Sequence, residues 1–341
     1  MSSMRKILLA VVLIGVLGGL IWVLKRQGVV DPSQEAWNRS IRMLRNPEKH
    51  DPGSLYRSIL TVGISSRKDE AKVILPLAQH EQPLVRAGVA YVSGSQEAQA
   101  FREVFESLKA DPHPLVRSHV IHALREKPGE EQIPWLRKTL ELRDLPVPER
   151  MEALAALHEA QNGKGDAKET KAEMLDFAQK ELSRKNPTPL IELNRMFGPD
   201  ERVRAMNRKV LLGEFDSMAK QLALRSLLQE RDPVVIRDFS KWIHHESAGL
   251  RRVAVEFLPK VCPHDRWKWI EDGISKEEDF SGRSVWLLAT EQIGGKKAME
   301  LVQKILEETT KSGMSQEAKA VEQVLNRIKN RSSPDLCSGL N

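Results

Sequence analysis

The residues most capable of chemistry are histidines. The chain has nine, and three crowd one helix start: His113, His119 and His122. A zinc centre would need four ligands and an outer shell that fixes the rings. Nothing nearby in sequence supplies these, so the three read as part-exposed surface histidines, and neither a metal nor another cofactor is expected. His244-His245-Glu246 lacks the H-E-x-x-H spacing of a zinc protease. Cys262-Pro263-His264 is too sparse for zinc. Cys262 and Cys337 could pair only if the tail folds back, so the expectation is a free thiol at a helix end. Gly163-Lys164-Gly165 and Gly294-Gly295-Lys296-Lys297 miss the G-x-x-x-x-G-K-[ST] spacing that cradles phosphate. No G-x-S-x-G elbow and no Cys/His protease signature is present. With 47 carboxylates in the chain, the meeting of any two carries no information. The chain therefore reads as non-catalytic.

Aromatic chemistry concentrates around Trp242, Trp267, Trp269 and Trp286. Residues two apart on a helix point about 200° away from each other, so Trp267 and Trp269 cannot both face a core. One of them is expected to face solvent, where it would either anchor a partner or simply pack against the next element.

Composition narrows the setting. Apolar residues make up 40% and charged residues 29%, which excludes a disordered chain. The net charge is +6, yet residues 1–50 hold eight Lys/Arg and three Asp/Glu, a balance of +5, leaving +1 for the remainder. A nearly neutral body argues against a nucleic-acid surface.

Ile7 to Leu24 is a run of eighteen residues without a charge. As a helix it would reach about 27 Å, close to a hydrocarbon core of roughly 30 Å. Arg5 and Lys6 precede it, Lys25 and Arg26 follow it, and Trp22 lies near one boundary. The run is too long for a cleaved signal peptide and ends without a small-residue cleavage site. The segments are thus expected to be a basic tail at 1–6, a transmembrane helix at 7–24 and a juxtamembrane linker with a basic amphipathic helix at 25–45. A body at 46–330 and a disordered tail at 331–341 follow. Gly15 and Gly19 form a G-x-x-x-G pair that would permit weak homodimerisation, although glycine is common in such helices. Sidedness is open. The short basic tail favours a cytoplasmic amino terminus, whereas Lys25, Arg26, Arg39, Arg42 and Arg45 load the other flank. The expected address is a single span in a bacterial inner membrane, with the body leaning towards the periplasm. Asp31-Pro32 opens a helix in which Trp37, Ile41 and Leu44 share one face. That face either lies on lipid or caps the body.

The elements that must position any site come from self-similarity. Gln82-Pro83-Leu84-Val85-Arg86-Ala87 and His113-Pro114-Leu115-Val116-Arg117-Ser118 are near copies, with their arginines 31 residues apart. Further anchors fall at Arg150, Lys220, Arg251, Arg283 and Ala318. An opening copy lies near Ser54, and a degenerate one near Asn186-Pro187-Thr188-Pro189. That gives roughly nine units, each a helix, a short turn and a second helix, with no sustained alternation of period two. In the clearest unit the helices are expected at 96–108 and 114–125. The class is all-α. Such a pair cannot bury its apolar stripe alone, so neighbouring units must stack.

Asp111 six residues before Arg117, and Asp144 six before Arg150, lie in turns that lead into Pro and then Arg. Glu277 with Arg283 and Glu214 with Lys220 repeat the pattern more loosely. On these residues the chain resembles the HEAT-repeat family, in its shorter variants. The resemblance implies a right-handed α-solenoid whose second helices line a concave side. It also implies that Asp111, Arg117, Asp144 and Arg150 belong to a structural ladder between consecutive turns.

In that register the positions one and five beyond each anchor face the groove. Tyr91, His122, Ala155, Arg225, Glu256 and Leu288 are fifth positions; Ser118, Gln221 and Arg252 are first positions. Tyr91, His122, Arg225, Arg252 and Glu256 are the candidate partner-binding residues. Their mixed charge suits a protein better than a phosphate backbone. The expected role is a membrane-tethered scaffold that holds an unidentified protein. The alternatives are an enzyme on HEAT-like repeats, such as a bilin lyase or a DNA glycosylase, and a passive spacer.

Overall fold

The computed structural model describes residues 34–63, 65, 70–96, 98–142, 145–161, 166–277, 279–331 and 335–337. The expected transmembrane segment with Ile7, Gly15, Gly19 and Leu24, the basic pair Lys25 and Arg26, and Asp144 lie outside these residues. Among the described residues no helix is long and apolar enough to cross a membrane, and no strand occurs. The regular structure of the described residues is all helical.

Helix starts follow directly from residue type. Proline fixes φ and lacks an N–H, so it suits the first helical turn, where that donor would have no intrahelical partner. It opens α2 (Pro52–Gly63), α3 (Pro83–Ser95) and α5 (Pro114–Glu126), and stands second in α7 (Val147–Ala160). Elsewhere a carboxylate closes the first turn: Asp216 accepts from the Ala219 N–H at the start of α11 (Ser217–Gln229), and Asp279 from the Gly282 N–H at the start of α16 (Phe280–Ile293).

The chain divides into two compact units, residues 1–173 and 174–341. In the first, α1 (Gln34–Arg45) packs on α2, α2 on α3, α3 on α5 and α5 on α7. A 3-10 segment (Glu70–Gln79), α4 (Gln99–Leu108) and α6 (Ile133–Leu140) form the second layer. The 3-10 segment buries Ala71, Ile74 and Leu77, one residue per turn of three. The shared core joins Val85, Val89 and Val92 of α3 to Val116 and Val120 of α5, with Phe101 and Phe105 of α4 beneath.

Trp37, Ile41 and Leu44 of α1 are buried in that core. The reading in which this face lies on lipid is thereby corrected: the face is occupied by the protein's own interior. Arg39, Arg42 and Arg45 remain on its exposed side, Arg39 in a 3.0 Å pair with Glu35.

The second unit begins within α8 (Asp166–Ser183) and continues through α9 (Pro189–Phe197) and α10 (Glu201–Leu212). There α10 packs on α11, α11 on α14 (Ala248–Val261), α14 on α16, and α16 on α18 (Ser315–Asn330). The short α12 (Pro233–Arg237) and α13 (Phe239–Ile243), then α15 (Arg266–Lys276) and α17 (Gly295–Lys311), lie against that row. At Gly273 of α15 a Cβ would overlap the Trp286 indole, so glycine is what lets α16 seat its tryptophan there. Trp267 is buried, while Trp269 is half-buried and sets its ring near Phe239 and His244.

Two expectations about the tail fail. Cys262 and Cys337 form a disulfide across 75 residues of sequence, with Cα atoms 5.5 Å apart. Residues 335–337 are also seated on the second unit. Arg266 Nη2 donates to Asp335 Oδ2 at 3.1 Å, and the Leu336 N–H donates to the Ile293 carbonyl at 2.8 Å. The tail does fold back, because an internal cation and an open helix-end carbonyl receive it.

Candidate functional site

Every anchor read from the repeat stands at the fourth residue of its helix: Arg86 in α3, Arg117 in α5, Arg150 in α7, Lys220 in α11, Arg251 in α14, Arg283 in α16 and Ala318 in α18. One turn in, a long side chain can reach back over its own helix start and across to the next turn. Arg86 does both. Its Nη1 donates to the carbonyls of His80 and Glu81, while Nε and Nη2 donate to Asp111 at 2.7 and 3.2 Å. Burial raises the Asp111 carboxyl, but the Arg86 hydrogen bond and the His113 N–H outweigh it and hold the group below its usual value.

Further rungs join Arg251 to Glu277 at 3.3 Å and Arg283 to Glu317 at 2.8 Å. Arg117 lies 3.9 Å from Glu149. Each acid therefore serves the arginine of the preceding repeat. Arg150 donates to the Leu140 and Leu142 carbonyls, and Glu214 is almost fully exposed, 3.8 Å from Lys185. One pair was not read from sequence: Arg208 of α10 donates to Asp232 Oδ2 at 2.6 Å, and Asp232 is fully buried. Arg208 lies outside the anchor register, which hid it.

The candidate groove residues of the first unit converge. Tyr91 of α3 stacks on His122 of α5, with ring centroids 5.6 Å apart, and its hydroxyl donates to Glu126 Oε1 at 3.2 Å. His122 Nδ1 donates to Glu152 Oε1 of α7 at 2.8 Å, which leaves Nε2 directed 3.9 Å from Glu126. Beside them the other tyrosine of the chain, Tyr56 of α2, meets His119 at 3.0 Å. The Leu115 carbonyl can only accept, so His119 Nδ1 carries the hydrogen and Nε2 receives the Tyr56 hydroxyl. Burial pushes the Tyr56 phenol up to about 12, and raises Tyr91 with help from the Glu126 charge; both stay donors. Tyr56, Glu126 and Glu152 escaped the sequence reading because they lie off the fifth position, and Tyr56 sits in the least repeat-like copy.

The two histidines titrate in opposite senses. His119 is buried, not part-exposed as expected; loss of water lowers its pKa despite the Leu115 carbonyl. For His122, burial also pulls downwards, but the Glu152 hydrogen bond and the charges of Glu152 and Glu126 outweigh it, so its pKa is raised. A raised value stabilises the fold below the unfolded pKa of about 6.5, and that contribution is lost as pH climbs through the folded value. A lowered value acts oppositely and costs stability as pH falls below about 6.5. His122→Gln is therefore expected to fall further behind the parent as pH drops from 8 to 5.5, whereas the deficit of His119→Gln shrinks. Urea denaturation at the two pH values measures this; pH-independent deficits would refute the assignment.

In the second unit Arg225 of α11 pairs with Glu256 of α14 at 2.6 Å, both side chains about two-fifths exposed. Leu288 of α16 is exposed, and Arg252, Ser118 and Gln221 are half-buried, but Ala155 is fully buried. Tyr91, expected to face the groove, is also buried, its ring held in the core beside His122, so the register misplaces both it and Ala155, whose helix α7 sinks its small residues into the core. Among the described residues no group of three His, Cys, Asp or Glu side chains is arranged to hold a metal ion. These faces carry polar pairs linking successive helices, partly open to solvent, with aromatic rings beside them.

The sequence matches no model of a known protein family, and a search of curated proteins returns no match.

Proposed function

We propose that this chain is a membrane-tethered scaffold of HEAT-like helix pairs, an α-solenoid that binds a protein partner through the inner faces of its second helices. The carrying observation is recurrence: seven anchors at one helical position, with acid–arginine pairs joining successive turns. A row built this way grows by stacking and offers long, shallow faces rather than a catalytic cleft. The apolar run 7–24 supplies the tether, and α1 passes the chain from it into the packed row.

Partner binding is tested by placing a photo-crosslinking residue at His122, Arg225 or, as a control on the second layer, exposed Glu106. In cells, the same discrete adduct is expected from His122 and Arg225 and not from Glu106. Charge reversal at Arg225 should weaken the adduct formed from His122 less than the one formed from its own position. Equal labelling at all three positions, or none, would remove the reading of a groove partner.

A further inference from the structure

We infer that the body occupies an oxidising compartment, with the residues before the apolar run left on the cytoplasmic side. This rests on the tethered reading for the membrane itself and adds the side that sequence left open.

The chain has two cysteines, and both are used in one bond. Cys337 is fully buried and Cys262 nearly so. The tail is guided to that place by groups other than sulfur. Arg266, itself almost buried, receives Asp335; the Ile293 carbonyl receives the Leu336 N–H; and the Cys337 N–H donates to Asp335 Oδ1 at 2.8 Å. Gly295, at φ 79°, leaves room for the Asp335 backbone, which a Cβ there would approach to about 3.1 Å. Two thiols held together in this way lose two protons and two electrons as the S–S bond forms. An oxidant disulfide accepts both electrons by thiol–disulfide exchange and leaves as a dithiol. Such bonds persist in secreted and periplasmic settings and are rare where glutathione and thioredoxin keep thiols reduced.

The structure also removes the charge argument against export. Arg39, Arg42 and Arg45 belong to α1, which is packed into the body through Trp37, Ile41 and Leu44. Long segments and domains translocate largely regardless of charge. Counting only the immediate flanks leaves Arg5 and Lys6 against Lys25 and Arg26, an even balance. The disulfide then decides.

The test uses the full chain in a bacterial host with an oxidising periplasm. Thiols are trapped in acid and treated with a gel-shifting maleimide before and after reduction. No adduct before reduction and two after it are expected; two adducts before reduction would place the body in the cytoplasm and overturn the inference. An alkaline wash of the same membranes reports the tether separately. Oxidised chain that washes off defeats the tether alone, and reduced chain that stays defeats the sidedness alone. A Cys262→Ser/Cys337→Ser chain carrying Lys268→Cys at an exposed position provides a second measurement. A membrane-impermeant maleimide should label it in intact spheroplasts; labelling only after lysis gives the opposite answer.

Discussion

Replacing Cys262 by Ser is expected to lower the stability of the second unit by about 2–4 kcal/mol. The bond closes a loop across 75 residues that contains α15, α16, α17 and α18. Chain-entropy reasoning for a loop of that size gives roughly 4.5 kcal/mol, and removal of native disulfides commonly costs 2–5. The lower range is chosen because the reduced tail keeps the Arg266–Asp335 pair and the Leu336 hydrogen bond, which continue to hold it part of the time. For a unit of this size the loss corresponds to roughly 6–12 °C in Tm. Thermal unfolding of the parent, the parent with reductant, and Cys262→Ser should give one Tm for the last two and a higher one for the first. Reductant without effect on the parent, at a concentration that alkylation shows to open the bond, would mean that the disulfide itself adds nothing to the stability of the fold.

That bond was the least legible feature of the sequence. Pairing depends on where residue 337 returns, and what guides it is a carboxylate on Arg266 and one backbone hydrogen bond, neither of which leaves a periodic trace. The helix register, by contrast, was readable in detail. A long cation at the fourth helical position recurs in α3, α5, α14 and α16, with proline opening the first two and Ser247 or Asp279 preceding the others, so its spacing transmits their positions. The first helices were harder. The helix expected at 96–108 begins at Gln99, and Glu70–Gln79 winds as 3-10, its interior Pro76 unable to donate an N–H to an α-helical ladder.

Site legibility follows the same division. Tyr91 with His122, and Arg225 with Glu256, were picked out because they share a register position in successive helices. The acids that also bond Tyr91 and His122, Glu126 and Glu152, were not, since they lie about one turn away from the fifth position of their own helices. The expected solvent-facing tryptophan of the Trp267–Trp269 pair became a half-buried one, covered by the short α13 that repeat spacing did not announce.

Arg283→Ala is the second substitution with a large expected effect, about 3 kcal/mol. Arg283 Nε and Nη2 donate to the two Glu317 oxygens at 2.8 Å each, and the Glu317 side chain is only 8% exposed. Removing the cation leaves a carboxylate with little water to replace it, the circumstance in which breaking a buried pair costs roughly 3–5 kcal/mol. The lower end applies because Arg283 is itself 21% exposed, so solvent can enter where its head group was. If the loss comes from the stranded charge, removing that charge should reverse much of it. Arg283→Met with Glu317→Leu is expected to recover at least half of the single variant's deficit, since two apolar side chains can fill the space between α16 and α18 without a desolvation penalty. Chemical denaturation of the parent, both single variants and the double closes the cycle. A double variant as unstable as the sum of its singles would show instead that Arg283 acts through its bond to the Glu277 carbonyl, holding its own helix start rather than bridging to the next repeat.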